Sequence, residues 1–324
     1  MITGTKPTRY PHGPKVVALG GGTGLATLLR GLKKYTDNIT AIVTVTDTGG
    51  SSGRLRFELG MLPPGDIRNC LVALADTEPL MEKLFQYRFT SGNGLTGHNF
   101  GNLFLATMCE VVGDFLQAIK ETSRVLKVRG QVLPATLTNA TLVAEYTDGT
   151  LARGETNIVC PGQTITRLSL DPVNCQPVPD ALTAIAEADL IVLGPGSLYT
   201  SVLPNLLVQG LSAAISKSSA IKVYVVNVMT QPGETDDYTA ADHVRAVLEH
   251  GGRQIVDWAV VNNEYPVGST LVRYQEEGAK PVKMAKKELY QFGIRIKEAS
   301  LLSTNDMARH NPKKLAKVLL DLMS

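Results

Sequence analysis

Four glycines in five residues, Gly20-Gly21-Gly22-Thr23-Gly24, stand between an apolar strand and a helix, and this constrains the chain more than any other feature. The strand spans Lys15 to Leu19 and carries the unbroken apolar run Val16-Val17-Ala18-Leu19. Such a run suits a strand covered on both faces, which a parallel sheet with helices on either side provides. A helix over about Leu25 to Tyr35 and a second strand over Ile39 to Val45 follow, giving β-α-β. In the turn, main-chain N–H groups and the helix dipole favour an anion, and glycine lets a phosphate reach the backbone. Gly21, Gly22, Thr23 and Gly24 are therefore candidate phosphate contacts. The turn is not the full dinucleotide fingerprint, because Leu25 or Thr27 stands where the last glycine belongs, and it lacks the lysine of a Walker A loop.

The rest of the chain extends this unit. Its 324 residues are 44% hydrophobic and 19% charged, below the roughly 25% charge of an average globular chain and sufficient for a large core. A net charge of +2 gives no bulk attraction for nucleic acid. No run approaches the ~18 apolar residues of a membrane span, so none is expected. Residues 1–14 are polar and read as a flexible N-terminal extension rather than a signal, with a cytoplasmic location expected. Cys70, Cys109, Cys160 and Cys175 contain no C-x-x-C pair and read as reduced packing residues. The five histidines show no ligand spacing, so no metal site is expected. Residues 15–324 read as one domain. A helical segment at 66–128, expected to hold two or three helices, leads into an antiparallel β insert at about 131–170. Parallel α/β then resumes with helix Pro179 to Ala188, strand Leu190 to Leu193, helix Leu203 to Ser216, strand Lys222 to Val228, helix Thr239 to His250 and strand Val256 to Val261. A basic tail ends in a helix, its lysines and arginines read first as a solvated face, and Trp258 reads as core.

Further clusters follow predicted strands, where open α/β sheets bind ligands. In Thr46-Asp47-Thr48-Gly49-Gly50-Ser51-Ser52-Gly53-Arg54, Asp47 is placed for a ribose diol or a metal. Gly50, Ser51, Ser52 and Gly53 can bond phosphate oxygens, and Arg54 can clamp one. Asp66 reads as a helix N-cap, with Arg68 and Asn69 in a first turn where a guanidinium points to an anion. His98 and Asn102 open a long helix as candidate ligand contacts, against the plainer reading of structural residues. Gly194, Gly196, Ser197 and Thr200 form a second phosphate-type nest, and the loop at Asn227 is expected to close over it. The loops at Gly20, Asp47, Gly194 and Asn227 are thus expected to face one crevice. No nucleophile, base and orienter set is legible, which favours binding over turnover.

Seven segments in order, GGGTG, TDTGGSSGRLR, PPGDIRNCLVAL, GHNFGNLFLA, VLPAT, IVLGPGSLYTSVLPNLL and NVMTQPGETDDYTA, closely resemble the bacterial gluconeogenesis factor family, also called YvcK/CofD-like, from about Lys15 to Val261. The resemblance implies a Rossmann-like three-layer α/β/α sandwich with a mostly parallel sheet and a small antiparallel insert. It implies a nucleotide-sugar ligand, UDP-N-acetylglucosamine above all, with Arg309 in the tail as a uridine-nucleotide contact. It also implies a regulatory role linking gluconeogenic carbon to cell shape and wall synthesis, with a homodimer and regulatory protein partners left open. The related phospholactate transferases move phospholactate from a nucleotide donor to a deazaflavin, which is the alternative activity. Many relatives carry two adjacent acidic or amide residues before GGSSG. This chain has Asp47-Thr48, so a divalent metal on that pair is left open. A third reading, an NAD-type dinucleotide site, follows from the two nests on one sheet edge.

Overall fold

The computed structural model describes residues 13–76, 78–303 and 307–323, so most of the expected N-terminal extension lies outside the described residues. From β1 (Val16–Gly20) the chain runs through α1 (Gly22–Leu32), β2 (Ile39–Val43), α2 (Gly50–Leu59), α3 (Gly65–Leu74), α4 (Pro79–Gln86), α5 (Phe100–Val112) and α6 (Phe115–Val125) to β3 (Gln131–Pro134). An antiparallel excursion follows: β4 (Thr141–Tyr146), β5 (Leu151–Arg153), the single turn α7 (Glu155–Ile158) and β6 (Ile165–Asp171). Then come α8 (Pro179–Ala186), β7 (Leu190–Leu193), a π-helical turn Leu198–Val202 leading into α9 (Leu203–Leu207), α10 (Leu211–Lys217) and β8 (Ile221–Val225). The chain ends with α11 (Ala240–Gly251), β9 (Trp258–Asn262), α12 (Gly268–Glu276), α13 (Lys286–Gln291), β10 (Arg295–Ala299) and α14 (Pro312–Asp321).

Seven strands form one parallel sheet in the order β10-β9-β8-β7-β1-β2-β3. β1 is buried at every position, and its alternate side chains divide between two cores. Val16 and Ala18 join α1, α3, α5, α6 and α14 on one face, while Val17 and Leu19 join α8, α9, α10, α11, α13 and the small sheet on the other. This is the three-layer sandwich with a minor antiparallel sheet that the sequence led us to expect. α1 shows how the pattern acts: Leu25, Leu28, Leu29 and Leu32 recur at helical spacing and are fully buried, each such burial stabilising by about 1.5–3 kcal/mol. The four cysteines are free thiols. No single helix among the described residues is long and apolar enough to cross a membrane.

The elements differ from expectation in four places. The helical segment holds four helices, α3 to α6, because Asn99 and Asp114 cap new N-termini and Gly113 takes φ 75° to end α5. β3 pairs with β2 in the main sheet, Thr40 opposite Gln131, so the antiparallel sheet begins only at Thr141. The helix expected over Leu203 to Ser216 is interrupted at Gly210, whose φ of 83° an L side chain rarely adopts. Gly50 starts a helix rather than an open loop. In the basic region, Lys280 pairs with Asp237 and Lys286 with Glu298 on an exposed face, while Trp258 is only half-buried, with Arg295 stacked 4.4 Å from its ring centroid.

α14 docks on α1 at Gly31, where an added Cβ would lie 2.0 Å from the Pro312 carbonyl oxygen and 3.0 Å from Ala316 Cβ. Gly31→Ala is expected to force the helices apart at a cost of about 1–3 kcal/mol, read as a lowered urea midpoint. An unchanged midpoint would refute the close packing.

Candidate functional site

Strand order reverses between β1 and β7, and there the two glycine turns touch. A Cβ on Gly24 would lie 2.4 Å from the Pro195 carbonyl oxygen and 2.9 Å from Gly196 Cα, and one on Gly196 would lie 3.4 Å from the Gly21 oxygen. A side chain at Gly24 would drive the turns apart. With the loop after β8 and the tail, they line a cleft of about 580 Å³. Gly21 to Gly24 and Thr27 form one wall, Gly196 to Ser201 a second, and Asn227 to Gln231 a third. Arg309 and His310 close it from the tail. Burial pushes the His310 imidazole down to about 4, so it is neutral near pH 7. Thr23 and Gly24, in the first turn of α1, have N–H groups without intrahelical acceptors, the usual anion-binding arrangement.

The second nest is already filled. Tyr199 N–H donates to Glu234 Oε1 at 2.6 Å, Ser197 Oγ reaches the same carboxylate at 2.6 Å, and Thr200 N–H also bonds it. Burial raises the Glu234 carboxyl above its usual range, and these bonds offset only part of that rise. Gly196 N–H goes to Asn227 Oδ1 at 3.3 Å, and Gly194 N–H to the Leu19 carbonyl at 2.8 Å. The expectation that Gly194, Gly196, Ser197 and Thr200 offer free phosphate donors is corrected accordingly.

A group of carboxyls stands beside the first turn. Asp66 lies inside α3, whose N-cap is Pro64, so it does not cap that helix as expected. It accepts the Gly22 N–H and the Asn69 side-chain amide, while Arg68 donates to Asn69 Oδ1 at 2.7 Å. Burial pushes Asp66 up to about 6. Asp47 Oδ1 caps the Gly49 N–H at 2.7 Å and also faces Glu155. Burial first, then the charges of Asp47 and Asp66, pushes Glu155 up to about 9. Among the described residues, no three His, Cys, Asp or Glu side chains are grouped to hold a metal ion.

The remaining candidates pack beside the cleft without lining it. Gly53 N–H closes the first turn of α2 onto Gly49 O at 2.9 Å, and Gly50 shapes its start. Ser51 Oγ bonds His98 Nδ1 at 3.1 Å and accepts the Asn99 N–H at 3.2 Å, a serine–histidine contact that sequence spacing concealed. Asn102 Nδ2 approaches Ser52 Oγ at 3.5 Å. Arg54, expected to clamp phosphate, donates instead to the carbonyls of Thr96 and Gly94, both at 2.8 Å. These contacts bind α2 to the segment before α5. Of the four loops expected to face one crevice, those at Gly20, Gly194 and Asn227 do so. Asp47 stands at its margin, linked through Glu155, which lines the cleft. Glu155 and Glu234 were not among the named candidates: Glu155 arrives on α7 from the antiparallel excursion, and Glu234 lies in the loop expected to close over the site, where only Asn227 was singled out.

A carboxyl raised in the folded state contributes stability that is complete below its ordinary pKa and is lost as pH climbs through the folded value. For Glu155 that window runs from 4.5 to about 9. Urea midpoints of the native chain are therefore expected to fall across it, and Glu155→Gln to flatten the fall; parallel curves would overturn the assignment.

Residues 16–302 match the family described as 2-phospho-L-lactate transferase CofD. The Bacillus subtilis protein named gluconeogenesis factor is 52% identical over 311 residues, covering 96% of this chain and 98% of its own. The Halalkalibacterium halodurans protein of the same name is 52% identical over 308 residues, covering 94% and 95%. A crystal structure of a UPF0052 family member from Bacillus halodurans matches with a TM-score of 0.92 at 50% identity, over 95% of this chain and 99% of that one. Similarity of this extent, through both glycine turns, means that the chain belongs to the CofD-like gluconeogenesis factor family.

Proposed function

We propose that the cleft binds a nucleotide-sugar of the UDP-N-acetylglucosamine type, and that its occupancy regulates carbon flow toward cell-wall synthesis and cell shape in the cytoplasm. The observation that carries this reading is the contact of the β1 and β7 turns beside Arg309. The diphosphate lies on the free N–H groups of Thr23 and Gly24 at the positive end of α1, with Arg309 as its cation. The sugar meets the amide and hydroxyl groups of Asn227, Thr230 and Gln231. Regulatory partners would read the bound state. The NAD-type reading is not favoured, because Glu234 fills the second phosphate nest it needs.

Calorimetric titration with UDP-N-acetylglucosamine tests this. Arg309→Ala is expected to weaken binding at least about tenfold, the ~1.4 kcal/mol lower range of a charge-assisted hydrogen bond. Arg54→Ala, whose guanidinium holds the 94–97 segment, is expected to change it far less. Failure of the native chain to bind removes the proposal.

The family match and the carboxyls beside the β1 turn support a second reading, transfer of a phosphorus-containing group from a nucleotide donor. It predicts product from a phospholactyl nucleotide and a deazaflavin acceptor in the presence of a divalent cation. Nucleotide-sugar binding without such turnover would count against it.

A further inference from the structure

The wall of the cleft built on β7 already holds a carboxyl group of the chain's own. Glu234, 5% exposed, comes from the loop after β8 and takes the Tyr199 N–H at 2.6 Å together with the Ser197 hydroxyl, at the start of the helical segment Leu198–Leu207. A phosphate bound to a turn of this kind makes the same contacts. The charge along the lining is also lopsided. Arg309 is its one lysine or arginine among the described residues, against Glu155, Glu234 and Glu277. What this side offers a ligand is neutral: the amides of Asn227 and Gln231 and the hydroxyls of Ser201 and Thr230.

We infer that Glu234 is a specificity-determining residue that occupies the place of a phosphate on the β7 turn, confines the ligand's charge to the β1 turn, and leaves the β7–β8 side for a neutral, hydroxyl-bearing group. This rests on the nucleotide-sugar reading and sharpens it. A sugar diphosphate places its uncharged ring against the filled turn. A nucleoside triphosphate of the same base brings a further negative group to a position that is both occupied and of like sign.

The test compares the native chain, Glu234→Gln and Glu234→Ser by calorimetric titration with UDP-N-acetylglucosamine and with UTP. In parallel, crystals of the native chain are soaked with inorganic pyrophosphate. The native chain is expected to prefer the sugar nucleotide. Both variants are expected to narrow that preference by about tenfold, or ~1.4 kcal/mol, chiefly through tighter UTP binding. Pyrophosphate is expected over Thr23 and Gly24, with Glu234 in place. An unchanged preference ratio in the variants overturns the inference, as does pyrophosphate on Ser197 to Thr200 with Glu234 swung out. The soak decides even if a variant fails to fold. If the native chain binds no UDP-N-acetylglucosamine, the nucleotide-sugar reading falls, while the position of pyrophosphate still settles the role of Glu234.

Discussion

The cleft depends on the backbone of Gly24 lying against that of Pro195 and Gly196, with no room for a Cβ between them. That contact joins the first and second halves of the parallel sheet where strand order reverses, and it brings the start of α1 close to the turn after β7. Interiors pack at crystal-like density, so two turns held this closely have one relative position. The unpaired donors of the β1 turn then follow from helix geometry, because the first amides of α1 have nowhere within the helix to donate.

Around this contact stand Asp47, Asp66 and Glu155, half-buried, and the buried Glu234. Asp66 is tied to Gly22 and to Asn69, Asp47 to Gly49 and Glu155, and Glu234 to Ser197 and Tyr199. A buried, unpaired carboxylate costs several kcal/mol, and here backbone N–H groups, with the Ser197 hydroxyl at Glu234, take the part of a counter-ion. The same bonds fix the loops. Asp66 orients the β1 turn from the α3 side, and Glu234 orients the β7 turn from the β8 side. The two walls are therefore held by side chains that arrive from outside them.

The fold was legible because its signals are local. The apolar run Val16 to Leu19, the glycines that follow and the second strand already specify a parallel unit, and Leu190 to Leu193 repeats the pattern at the other side of the crevice. The first glycine turn was legible for the same reason, and Arg309 came from family resemblance. The rest depends on contacts between distant segments. Whether Gly50 to Arg54 is an open loop or a helix start depends on Ser51 meeting His98, 47 residues away. Whether the turn at Gly196 is vacant depends on Glu234, which follows the neighbouring strand β8. Glu155 comes from the antiparallel insert and has no neighbour in sequence that marks it. A donor or acceptor found by spacing is only a candidate until its partner in the fold is known.

Arg309 and His310 reach the cleft immediately before α14, and α14 lies along α1, the helix whose first turn lines the cleft. If the proposed ligand fills the cleft, its binding and the seating of the terminal helix are linked. A ligand that favours the docked arrangement tightens α14, and whatever loosens α14 lowers affinity by the same free energy. On that reading, the outer face of the last helix would have a thermodynamic handle on whether the pocket is full.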